Sequence, residues 1–112
     1  MRLSSEDAII PEGKLRDYLL SPAHPDGRGK AQYLAGLGYD ARSWKRLEED
    51  LRVQLLTLPA EQGRQSPYGQ KYEILGLLTG PNGRSGWVRS IWIVPHGESA
   101  PRLITVIPGE KR

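Results

Sequence analysis

Between Tyr68 and Pro108, three runs of apolar and β-branched residues stand apart, separated by two turn signals. The runs are Tyr72 to Leu78, Trp87 to Val94 and Leu103 to Ile107; the turns are Pro81-Asn82-Gly83-Arg84 and Pro95-His96-Gly97-Glu98. Runs of this length bounded by Pro, Asn and Gly predict strands. Asn82-Gly83 is hairpin chemistry, because both residues tolerate φ above zero. An antiparallel meander over residues 68–108 follows. In the second run Trp87, Arg89, Ile91 and Ile93 share one face, and Val88, Ser90, Trp92 and Val94 share the other. Both faces are mostly apolar, which predicts a central strand over Ser85–Val94.

The chain before this sheet has helical spacing and predicts a helical layer over residues 12–58. Leu15, Tyr18 and Leu19 fall on one face of a helix from Glu12 to Leu20, which Ser21-Pro22 ends. A second helix runs from about Gly29 to Leu37, with Gly38 placed as a left-handed cap. The longest spans Ala41 to Leu58, where Trp44, Leu47, Leu51, Leu55 and Leu58 form a continuous stripe. Glu48, Glu49, Asp50 and Arg52 are assigned to its outer face. Ala8 to Ile10 reads as an edge strand or an apolar arm, and Ala60 to Ser66 as a mobile loop. The expected architecture is one α+β domain, two to three helices on a three- to four-stranded antiparallel meander. Trp44, Leu47, Leu51, Leu55 and Ile91 are expected to share its core.

Composition narrows the functional classes. With 38% hydrophobic and 26% charged residues, the chain has the make-up of a soluble globular domain. No apolar run approaches the ~20 residues of a membrane span, and Met1 to Glu12 lacks a signal-peptide core. The expectation is a cytoplasmic protein with no membrane partner. The chain has no Cys, which excludes disulfides, thiolate metal sites and a Cys nucleophile. Two His are too few for a His-rich metal cage, so no metal and no cofactor are expected. Residues 1–66 carry ten Lys/Arg and ten Asp/Glu, so the net charge of +3 lies wholly on the sheet half. That asymmetry suits a polyanion, and equally an ordinary soluble surface.

Several phrases resemble an uncharacterised bacterial domain family. They are Lys14 to Leu20 (KLRDYLL), His24 to Ala31 (HPDGRGKA), Leu37 to Tyr39 (LGY), Tyr68 to Glu73 (YGQKYE), Leu78 to Ser85 (LTGPNGRS), Val88 to Trp92 (VRSIW) and Arg102 to Pro108 (RLITVIP). The resemblance spans residues 12 to 108 and implies no chemistry by itself. Ser90 stands where that pattern has Thr, which keeps the hydroxyl. Helices followed by an antiparallel sheet with His, Lys/Arg and Ser/Thr at loop and strand positions also resemble the superfamily of barnase, EndoU, colicin and RelE-type ribonucleases. That resemblance is one of fold. It implies a small metal-independent ribonuclease toxin of a toxin–antitoxin or conflict system, with RNA as substrate and a cognate antitoxin or immunity protein as partner.

Such an enzyme needs a base for the 2′-OH, a cation for the charged phosphorane and an acid for the leaving 5′-oxygen. His24 is the natural acid–base group, since its ordinary pKa lies near neutrality. Lys30, Arg28 and Arg89 are candidates for holding the phosphate, and Ser90 and Thr105 for donating hydrogen bonds to it. Arg28, Lys71, Arg84 and Arg102 are candidates for binding the substrate. Each has a structural alternative: His24 a turn residue, Lys30 a solvated helix cation, Arg89 a strand residue paired with Glu73. His96 lies in a turn and ranks below His24. Trp87 and Trp92 face opposite sides, so at most one is a stacking platform for a base. The competing reading is a non-catalytic binding or adaptor domain that docks an acidic protein or nucleic acid. The two readings separate on whether His24, Lys30, Arg89 and Thr105 line one cleft.

Overall fold

The computed structural model describes residues 2–21, 23 and 28–109. The leucine stripe of the longest helix sets the packing. This helix, α3, starts as a 3-10 turn (Ala41–Ser43), becomes α-helical (Trp44–Asp50) and ends as a π-helical turn (Leu51–Leu55). Asp40 caps its start: Asp40 Oδ1 accepts from the amides of Arg42 and Ser43 at 2.9 and 3.1 Å. Ser43 Oγ in return accepts from the Asp40 amide at 2.9 Å, closing a capping box. At the other end the Leu56 amide reaches back to the Leu51 carbonyl. This wider turn brings Leu56 into the core beside Leu51 and Leu55.

Two shorter helical segments flank α3. The first, α1, is α-helical over Glu12–Lys14 and π-helical over Leu15–Leu19, with Leu15 and Leu19 buried. The second, α2, spans Arg28–Ala35. Gly38, at φ 100°, ends α2 as expected. The Tyr39 amide bonds the Leu34 carbonyl and the Gly38 amide bonds the Ala35 carbonyl, which satisfies two carbonyls of the last turn.

The sheet is a four-stranded antiparallel meander in the order β1 (Glu61–Ser66), β2 (Gly69–Thr79), β3 (Ser85–Pro95), β4 (Arg102–Pro108). β3 is central, as its two apolar faces require. The helices cover one face, where Ile74, Leu78, Val88, Trp92 and Val106 meet Leu15, Leu34, Leu47 and Leu51. A Cβ on Gly76 would come within 2.5 Å of Leu58 Cδ1 and 3.1 Å of Leu55 Cδ1, so Gly76 leaves the room in which the end of α3 and the following Leu58 pack on β2. Residues 8–10 form an arm along β4. Ala8 and Ile10 are buried, and Ile9 makes one parallel bridge to Arg102. Among the described residues no helix is long and apolar enough to cross a membrane.

Four expectations need correction. Ala60 to Ser66 is not a loop: its polar residues form edge strand β1, held by ladder bonds to β2 and by the turn in which Ser66 Oγ accepts from the Tyr68 and Gly69 amides. No alternation announces it, because an edge strand with two wet faces has no apolar side. Ile91 lies half-buried on the uncovered face rather than in the core. Asp50 is buried, not outward; it flanks Leu47 and Leu51 and accepts from Tyr39 Oη at 2.5 Å and Arg46 Nε at 2.9 Å. Finally, Asn82 does not take positive φ; in the β2–β3 loop only Gly83 does, at 84°. The Asn82 side chain instead accepts from the Arg84 amide and donates to the Gly36 carbonyl, docking the loop on the end of α2.

Two outcomes test this packing. Leu51→Ala should cost about 2–5 kcal/mol in denaturant titration, the scale of a buried leucine truncation; under about 1 kcal/mol would place the stripe in solvent. Burial pushes the Tyr39 hydroxyl above its ordinary pKa, and the bond to Asp50 adds to this. The unfolded tyrosine loses its proton near pH ~10 while the folded one keeps it, so stability must fall as pH rises past that point. The alkaline decline in Tm should be shallower in Tyr39→Phe than in the parent.

Candidate functional site

Three elements converge where α2 meets the outer strand of the sheet. The π-helical turn of α1 supplies Tyr18, α2 supplies Lys30 and β4 supplies Thr105. Lys30 Nζ donates to Tyr18 Oη at 2.5 Å and to Thr105 Oγ1 at 3.0 Å, and lies 4.8 Å from the centre of the Tyr18 ring. Lys30 is half-buried and makes no ion pair among the described residues. The ammonium is thus held by two hydroxyl oxygens and an aromatic ring rather than by a carboxylate among the described residues. Its third N–H has no partner among the described residues. Tyr18 had signalled only its place beside Leu15 and Leu19; its phenol acquires a role through the 12-residue separation that the fold closes.

The uncovered face of the sheet holds a second group. Thr105 stands opposite Ile91 on β3, and Ile91 opposite Glu73 on β2. Arg89 Nη1 donates to Glu73 Oε1 at 3.3 Å. This is a single contact, and four of the five guanidinium N–H donors have no partner among the described residues. Ser90 points the other way. It is fully buried, accepts from Trp92 Nε1 at 2.8 Å and donates to the Ile74 carbonyl at 3.3 Å. Trp92 is therefore core, Trp44 packs against the core, and half-buried Trp87 is the tryptophan on the uncovered face.

The other candidates are spread more widely. Arg28 opens α2. His24 lies outside the described residues. Arg102 is exposed and pairs with Glu98 at 3.0 Å. Arg84 is exposed in the β2–β3 loop, and Lys71 lies on β2 across from Ile93. His96 is an exposed turn residue whose Nε2 lies 3.2 Å from the Ser66 carbonyl. The fold thus joins Lys30 to Thr105 and Arg89 to Glu73, and keeps Ser90 inside.

Comparison with known proteins identifies the family. Residues 3–110 match a family described as a domain of unknown function (DUF6883), and the chain belongs to it. No curated protein matches. The fold is shared with a chain of the contact-dependent growth inhibition toxin–immunity protein complex from Klebsiella pneumoniae 342. That likeness covers 96% of this chain and 98% of the other, with a TM-score of 0.66 at 16% identity.

The geometry around Lys30 makes a testable separation between anchoring and function. Lys30→Met keeps the aliphatic stem and removes the charge. Stability in urea should change by less than about 1 kcal/mol, because no buried ion pair is broken. A loss above about 2 kcal/mol would make the ammonium a structural fastening.

Proposed function

We propose that this member of the family is a small toxin-type ribonuclease of a bacterial conflict system, cleaving RNA by acid–base chemistry without a metal. The observation that carries the reading is Lys30, a half-buried cation positioned by Tyr18 and Thr105 and paired with no carboxylate among the described residues. The shared fold with a chain of a toxin–immunity protein complex supports it.

In this reading Lys30 holds a non-bridging oxygen of the scissile phosphate and stabilises the charge that grows on it in the phosphorane. Thr105 Oγ1 accepts from Lys30, so its own hydrogen is available to donate to the same phosphate. Arg89 presents the N–H groups that Glu73 leaves unused. His24 is the proposed acid–base group, moving protons at the 2′-OH and the 5′-oxygen. Arg28, Lys71, Arg84 and Arg102 would attract the flanking backbone. Ser90 is left out, since its hydroxyl is committed to Trp92 in the core. A cognate immunity or antitoxin protein would restrain the enzyme in the producing cell, with the cytoplasm as its place of action.

A second reading, a non-catalytic module that docks an acidic partner, draws on the Arg89–Glu73 pair and on the partly exposed apolar face formed by Leu75, Leu77, Trp87 and Ile93. Expression without a partner separates the two. The ribonuclease reading expects growth arrest, and RNA cleavage by purified protein in the presence of a chelator. His24→Ala should lower cleavage about a hundredfold or more, the scale of a lost general acid or base. Arg89→Ala should do at least as much, with Arg89→Lys recovering only part, because one ammonium cannot replace a fork of donors. Each variant must melt cooperatively near the parent. A well-folded parent that neither cleaves RNA nor arrests growth would overturn the enzyme in favour of the docking module.

A further inference from the structure

The edge strand that the sequence disguised as a loop carries a β-bulge, and the bulge builds a pocket. Gln62 pairs with Tyr72 and Gln65 with Gln70, so Gly63 and Arg64 together stand against Lys71 alone. Such a two-against-one insertion bends the strand and re-aims a side chain. The bend is pinned: Gln70 Nε2 donates to the Gly63 carbonyl at 2.8 Å and to the Lys71 carbonyl at 3.0 Å. The resulting pocket of about 240 Å³ is lined by Gly63, Arg64, Lys71, Glu73 and Ile91.

Its charge is the informative part. Among the described residues Glu73 is the one acid in the lining, and it is paired with Arg89. Neither Arg64 nor Lys71 makes a side-chain hydrogen bond or ion pair among the described residues. Two cations without acidic partners among the described residues therefore face one concavity, above an apolar floor supplied by Ile91. That combination fits a phosphodiester with its sugar or base against the floor. The pocket also lies in line with the Lys30 cluster, for Glu73, Ile91 and Thr105 are register neighbours across β2, β3 and β4. From β1 to β4 is three strand spacings, or about 14 Å, a span of a few nucleotides.

Resting on the ribonuclease reading, we propose that the Arg64–Lys71 pocket at the β1 bulge is a phosphate subsite, which binds the backbone of single-stranded RNA a few nucleotides from the bond held at Lys30. Arg64 and Lys71 take no part in the chemical step; they position the strand across the uncovered sheet face.

The test uses a fluorescent single-stranded RNA with 2′-O-methyl groups, which lacks the attacking hydroxyl and so reports binding alone. Arg64→Ala and Lys71→Ala should each weaken binding severalfold. Each should also reduce the slope of log affinity against log salt by about 0.7, the contribution of one phosphate contact to a single strand. On cleavable RNA both variants should raise KM and leave kcat unchanged. Gln70→Leu, which unpins the bulge and keeps both charges, should raise KM in the same way. Melting curves near the parent's exclude unfolding. If the parent cleaves RNA while both cation variants keep its affinity, salt slope and KM, the subsite is overturned and the ribonuclease reading stands. If the parent neither binds nor cleaves RNA, both fall; an acidic protein whose binding is lost in Arg64→Ala would then identify the pocket as a protein-docking site.

Discussion

Trp92 can be buried only if its indole N–H finds an acceptor, and the chain supplies one two residues away on the same face of the same strand. Ser90 Oγ accepts that N–H and donates onward to the Ile74 carbonyl of β2. Left unmade, a buried donor of this kind costs on the order of 1–3 kcal/mol. The pair thus lets the largest side chain of the core sit at the middle of the sheet, fully out of solvent. Leu15, Leu19, Leu47 and Leu51 then have a broad apolar floor to pack on. The Tyr39–Asp50–Arg46 group is the other polar fixture beneath the helices, tying the segment after α2 to α3.

Covering one face of the sheet leaves the other to water, and that asymmetry decides where function can reside. Beneath the helices, among the described residues, no buried side-chain nitrogen or oxygen lacks a hydrogen bond. On the uncovered face the arrangement is looser. Among the described residues Arg89 shares one of its donors with Glu73, Arg64 and Lys71 share none, and Trp87 is half-exposed. Groups that the fold leaves unsatisfied are the ones that an anionic ligand can satisfy.

Lys30 links the two halves of the molecule. It belongs to the helical layer, yet its ammonium bonds the hydroxyl of a residue on the outer strand 75 positions later. The residue that steadies it, Tyr18, comes from a π-helical turn. Such turns displace side chains from ordinary helical register and recur at functional sites.

The meander, its central strand and the helical layer were legible in the chain, because periods of two and of three to four residues report which sides of an element are dry. Leu47, Leu51 and Leu55 were legible for that reason, as was the Gly38 cap. Tertiary structure alone decided what no period encodes. β1 is polar on both sides, so it exists only because β2 offers it a ladder. The same is true of Arg64, which the bulge turns into a pocket. Lys30 and Thr105 were legible as residue types suited to phosphate, but their meeting rests on closing a gap of 75 residues. Ser90 shows the reverse: its hydroxyl looked equally suited to phosphate, and burial of Trp92 claimed it for the core.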